Sequence, residues 1–92
     1  MEFEWDPDKA KYNLRKHGVS FQEATTVFGD ASSEVNYDPT HSKAEDRYMI
    51  IGWSYRSNLL MVSYTERGNR IRIISSRKLT KKERKSYDRR KR

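Results

Sequence analysis

The chain has 92 residues, 34% apolar and 36% charged, with a net charge of +7 and no cysteine. That length holds one small domain with a thin core, which often gains stability from a partner subunit. The lack of cysteine excludes disulfides and thiolate metal sites and fits a reducing cytoplasm, the apolar runs are too short to span a membrane, and the acidic start MEFEWDPDKAK does not read as a signal peptide.

In chain order, EFEW (2–5) reads as a short strand, and Asp6-Pro7 as a helix start with Asp6 as cap. The helix runs to His17, where Gly18 supplies a left-handed C′ residue and Val19 folds back on Leu14. Ala10, Leu14 and His17 share one face, and His17 at the helix C-terminus reads as structural. Ser20 to Glu23 form a capping box for a second helix, with Phe21, Ala24, Val27 and Phe28 apolar and Gly29 as its stop. Residues 30–46 are polar, with a short strand around Ser33 to Tyr37.

RYMIIGWS, LLMVSYT and RIRIISS follow as three strands of an antiparallel meander, with Asn58, Gly68 and Asn69 suited to positive φ in the turns. Met49, Ile51 and Trp53 face one way and Tyr48 and Ile50 the other; Leu60, Val62 and Tyr64 oppose Leu59 and Met61; Ile71 and Ile73 oppose Arg70 and Arg72. Both faces are partly apolar, so the two N-terminal helices cover one and the other awaits a partner. Thr80 to Glu83 form a second capping box, opening a basic helix from Lys81 to Arg90 whose main anchor is Tyr87. So poor in apolar groups, this helix is expected to be solvated or held by a polyanion or an acidic partner. The fold class is α+β: one domain over 1–92, a small antiparallel β-sheet with two helices on one face and a basic C-terminal helix.

The charge is concentrated at that end. Residues 77–92 carry ten Lys and Arg against Glu83 and Asp88, while residues 1–76 carry ten basic and eleven acidic residues. Such a block is either a solvated tail or one wall of a phosphate-binding surface. No metal-ligand spacing, phosphate-cradling glycine loop or nucleophile elbow occurs, so neither a metal nor a cofactor is implied. RNA cleavage needs none of these, because the substrate's 2′-OH is the nucleophile. It needs a base, an acid, and cations on the phosphorane. Among the scattered polar groups His41, Glu45, Arg47, Arg72, Ser75, Arg77 and Lys78, Arg77 is the strongest choice because it leaves the sheet where the basic block starts. Glu45 and Arg47 can form a surface pair worth little, Arg72 can pair with an acid on the next strand, and Tyr55, Tyr64 and Tyr87 serve as stacking platforms or core.

WDPDKAKYNLRKHGVSF, FQEATTVFGD, DPTHSKAEDR, GWS and YTERGNRIRIISSRKLTKKERKSY, in this order, resemble the BrnT family of type II toxin–antitoxin toxins from about Phe3 to Tyr87. The resemblance implies a RelE-like fold, a metal-independent ribonuclease that blocks translation, and a BrnA-like ribbon-helix-helix antitoxin. It also implies a higher-order toxin–antitoxin complex that reaches operator DNA through the antitoxin. By position, His41, Ser42, Glu45 and Arg47 match the family's H-S-x-x-E-x-R stretch, Arg72 and Arg77 the arginines of R-I-I-S-x-R, and Glu83 and Tyr87 its E-R-x-x-Y ending. Ser76 and Leu79 stand where the family more often has alanine. The catalytic set is then Arg77 and Arg72 on the phosphate, with His41 or Glu45 in proton transfer. Arg47, Lys78, Lys81, Arg84 and Tyr87 would contact RNA. The rival readings are a non-catalytic nucleic-acid-binding or co-repressor module acting through the basic helix, and an inert subunit whose basic end docks an acidic chain.

Overall fold

The computed structural model describes residues 1–91, which form β1 (Glu2–Glu4), α1 (Pro7–His17), α2 (Phe21–Thr26), β2 (Glu34–Tyr37), β3 (Arg47–Trp53), β4 (Leu59–Arg67), β5 (Arg70–Lys78) and α3 (Lys81–Arg90). Two 3-10 turns, Val27–Gly29 and Pro39–His41, flank β2. The five strands make one sheet in the order β1-β5-β4-β3-β2. The expected meander is there, but β1 runs parallel to β5, so the sheet is antiparallel except at that edge.

The local signals of α1 hold: the Asp6 side chain accepts from the Asp8 N–H, and Gly18 sits at φ 70° with its N–H on the Leu14 carbonyl. The expected apolar face is rotated. Leu14 is 50% exposed, while Asn13 is buried beneath the helix and Val19 joins the core. Asn13 Nδ2 donates to the Val19 and Ser76 carbonyls, and its Oδ1 accepts from the Ser76 N–H at 3.0 Å. The helix is thus tied to β5 by an amide that mimics a strand partner.

The α2 capping box is half made. Ser20 Oγ accepts from the Glu23 N–H, but the Glu23 carboxylate turns inward. It accepts from Ser54 Oγ at 2.6 Å and Asn58 Nδ2 at 2.8 Å, so α2 is fastened to the β3–β4 turn. In that turn the positive φ falls on Ser57, not on Asn58. Gly52 is required on β3, since a Cβ there would lie 3.0 Å from both Val27 and the Asp30 carboxylate that accepts from the Trp53 N–H.

The main core lies between α1, α2 and one sheet face, with Phe21, Val27, Ile50, Leu60, Val62 and Ile73 at its centre. The opposite face carries α3. Tyr87 packs there on Ile51 and Leu59, with Met61 and Leu79 beside it. A basic helix expected to be solvated or held by another molecule is therefore docked within the chain. One cross-strand row under it, Glu34–Ile51–Met61–Arg77, explains how. Arg77 binds Glu83 near the start of α3, Glu34 binds Arg90 at its end, and the apolar pair lies between.

Candidate nucleic-acid interface

Strict alternation along β5 would put Arg72 and Arg77 on opposite faces. The register shifts by one between Ser63/Ser75 and Tyr64/Ile73, which leaves Ile74 as the extra residue of a bulge. Beyond it, Ser75 and Arg77 share the α3 side of the sheet with Arg72. That side carries three successive rows. The first lies under α3. The second, Asn36–Met49–Ser63–Ser75, is a half-open floor whose Asn36 and Met49 line a cavity shared with Lys82, Ser86 and Arg90 of α3. The third is Arg47–Thr65–Arg72–Glu4.

The third row gathers cations. Arg72 binds Glu4 at 2.8 Å, with Arg70 3.5 Å from the same carboxylate. Arg67 holds Glu45 in a two-pronged pair, so Glu45 pairs with Arg67 and not with Arg47. Arg47 makes no ion pair among the described residues. Thr65, between Arg47 and Arg72, is buried with its hydroxyl unpaired. The Arg67 guanidinium holds the Glu45 carboxyl below the usual carboxylate range, with Arg47 and Arg72 adding to the effect. Glu45 is therefore held as an anion by Arg67, with no proton of its own to donate near neutral pH.

His41, Glu45 and Arg47 line one open cavity of about 420 Å³ together with Thr40, Lys43 and Ala44. The 3-10 turn there is capped by Asp38, whose carboxylate also meets His41 Nδ1 at 2.8 Å. The hydrogen bond from His41 lowers the Asp38 pKa and orients the ring. The His41 side chain is 61% exposed, and its Nε2 has no hydrogen bond among the described residues.

The predicted set therefore divides. His41, Glu45, Arg47 and Arg72 come together at one end of the sheet. Arg77, Lys78, Lys81 and Arg84 lie at the other, since Met61 and Thr65, their partners on β4, are four residues or about 13 Å apart. Tyr87, expected on the RNA surface, is 4% exposed and anchors α3, so no ring face is open to a base. Arg77 is committed as well. Its guanidinium donates to both Glu83 oxygens at 2.7 and 2.9 Å and contacts the Met61 sulfur. The same Glu83 closes the Thr80 capping box. Arg67, Arg70 and Glu4 were not singled out from sequence; only the parallel β1–β5 pairing and the β4–β5 turn bring them to the row.

A family profile described as "Ribonuclease toxin, BrnT, of type II toxin-antitoxin system" matches residues 5–83. The chain belongs to the BrnT ribonuclease toxin family. It is a ribonuclease toxin of a type II toxin–antitoxin system, and a cognate antitoxin is its partner. Among solved structures, the ribonuclease toxin BrnT of Brucella abortus is similar, at 26% identity and a TM-score of 0.65, covering 88% of this chain and 99% of that one. No curated protein matches. The BrnT profile spans the arginines of that row, though not Glu4, and the Arg77–Glu83 pair, and stops before Arg84 and Tyr87. No helix among the described residues is long and apolar enough to cross a membrane.

The Arg77–Glu83 pair gives the structure a measurable acid sensitivity. The Arg77 hydrogen bond lowers the Glu83 pKa from 4.5 to about 2. A folded-state pKa below the unfolded one means that the stabilisation is complete above about pH 4.5 and is lost as pH falls toward 2. Both side chains are about one-third exposed, so screening limits the gain to about 1 kcal/mol. Glu83→Gln keeps the cap acceptor and removes the charge. It is expected to be about 1 kcal/mol less stable at pH 7 in urea unfolding, with the gap to the parent shrinking below about pH 4.5 and closing only at about pH 2 or below. A gap unchanged from about pH 7 to about pH 2 would assign the loss to the cap geometry.

Proposed function

We propose that the chain cleaves RNA without a metal ion, by attack of the substrate's 2′-OH on the adjacent phosphorus. The O2′–P bond forms, the P–O5′ bond breaks, and the products are a 2′,3′-cyclic phosphate and a 5′-OH. The 2′-OH proton goes to a base and a proton is delivered to the leaving 5′-oxygen. The observation that carries this reading is one cross-strand row holding Arg47 and Arg72 on either side of Thr65, with Arg47 in no ion pair among the described residues and His41 lining a cavity with it. Arg47 and Arg72 would hold the phosphate and stabilise the extra charge of the phosphorane. His41, oriented by Asp38 with Nε2 outward, is the proton-transfer group, and Glu45 acts by holding Arg67.

Metal independence is supported by the charge of the row, where each carboxylate is already bound to arginine and the surplus is cationic. Growth arrest would follow from loss of messenger RNA and hence of translation. The antitoxin, on the strength of the family, is a BrnA-like ribbon-helix-helix protein that brings the pair to operator DNA in a higher-order complex.

The test is cleavage of an oligoribonucleotide in EDTA, beside the same strand with 2′-deoxyribose at the cleaved nucleotide. The expected result is undiminished cleavage in EDTA, a 2′,3′-cyclic phosphate product, and an inert deoxy-substituted strand. Cleavage that needs added Mg²⁺, or that spares the deoxy substitution no differently, would overturn the mechanism. Salt-dependent binding with no cleavage under any condition would favour the binding-module alternative.

A further inference from the structure

Beyond the arginine row, the opposite end of the same sheet face ends in a second groove, of about 560 Å³. Its floor is apolar and aromatic: Trp53, Leu59 and Leu79. Its rim is cationic, with Lys78, Lys81, Arg84 and Lys85 against the single acid Asp88. Trp53 is 37% exposed, and the Arg84 guanidinium lies 5.1 Å from its ring centre, steadied by Asp88 at 3.1 Å. The volume is that of a site for one or two flat rings.

We infer that this groove is a second RNA subsite, in which a base of single-stranded RNA stacks on Trp53 and Arg84 while Lys78, Lys81 and Lys85 hold the flanking phosphates. The inference rests on the ribonuclease reading and adds to it a place for the strand away from the cleaved bond. Single-strand readers combine a π-face for the base with a basic groove for the backbone, and both are present here within one turn of α3. An acidic peptide would use the lysines but has little use for an exposed indole beneath a guanidinium. Trp53 lies six residues from Arg47 on β3, about 20 Å along the strand. The subsite therefore acts at a distance of several nucleotides, on affinity and not on the chemical step.

Binding can be read apart from cleavage with a fully 2′-O-methylated single strand, which has no nucleophile. The full chain, free of antitoxin, is titrated into a fluorophore-labelled form of this strand and the anisotropy of the label is followed. The expected result is similar affinity in the parent and in Trp53→Tyr, and an affinity about 5- to 150-fold weaker in Trp53→Leu, the range of a lost base stack. Lys81→Glu is expected to weaken binding and to lower the salt slope by about one or more. With cleavable RNA, Trp53→Leu should raise KM for long strands, leave kcat unchanged, and leave short strands that cannot span 20 Å unaffected. Equal affinity of the parent and Trp53→Leu for the methylated strand would overturn the subsite. So would displacement of the strand by an acidic peptide of matched charge at equal or lower concentration, which would assign the groove to a protein partner. Failure of RNA cleavage by the parent, with the binding differences intact, would count against the mechanism above and not against the subsite.

Discussion

Arg47→Met is expected to lower kcat for RNA cleavage about 10²- to 10³-fold, the usual loss when one donor to a developing transition-state charge is removed. The melting temperature should stay within about 4 °C of the parent, since surface changes away from special contacts fall within about ±0.5 kcal/mol. The reason is local. Arg47 is the member of its row without a carboxylate partner among the described residues, so methionine strands no buried charge. Arg77→Ala is expected to behave in the opposite way. It leaves Glu83 unpaired and releases the start of α3, so stability falls by about 1–2 kcal/mol. The folded enzyme should keep kcat within about tenfold. Single-turnover cleavage and thermal unfolding of both variants decide the matter. Full activity in Arg47→Met with a large kcat loss in Arg77→Ala would move the reacting phosphate to the α3 end and sink the assignment made here.

That reversal of the two arginines shows where sequence reading succeeds and where it stops. Signals carried by adjacent residues were legible: the Asp6-Pro7 start, Gly18 at positive φ, the Thr80–Glu83 capping box and the alternation of β3 and β4. Each depends on contacts within a few residues, where the options are few. The role of Arg77 depended on where α3 docks and on Met61, sixteen residues earlier in the chain and directly across from it on β4. The bulge at Ile74 is equally silent, because an extra residue in a strand looks like any other apolar position until the partner strand is known. Tyr87 was legible as an anchor but not as a buried one, since its burial requires Ile51 and Leu59 from two other strands. Glu23 satisfied a capping pattern and was used instead to fasten a distant turn. The parallel pairing of β1 with β5 joins the two ends of the chain and has no local signature. The arginine row takes Glu4 from that pairing, which is why its full membership emerged only from the fold.

The largest loss of stability is expected from Asn13→Ala, a residue with no part in the chemistry. Asn13 is 4% exposed and makes three hydrogen bonds of 2.8 to 3.0 Å to backbone groups. Alanine leaves the Ser76 N–H and two carbonyls buried without partners, and stripping buried polar groups costs about 1–3 kcal/mol each when no water replaces the lost partner. Partial relaxation brings the expected total to about 2–4 kcal/mol, a fall in melting temperature of about 10–25 °C for a domain of this size. Asn13→Leu offers a second test, because it restores apolar volume and leaves the same three backbone groups unpaired. Both variants should therefore lose similar amounts, whereas a rescue by leucine would mean that packing and not hydrogen bonding is at stake. Ser76 lies just past the bulge, between Ser75 of the open floor and Arg77 under α3. The amide of Asn13 thus holds β5 where its bulge resets the alternation, and so is placed to set which residues of that strand lie on the face proposed here for RNA. A fall in melting temperature without loss of kcat in the folded fraction at low temperature would show that the bulge survives without Asn13. A parallel loss of kcat would show that this one buried amide sets the register on which the arginine row depends.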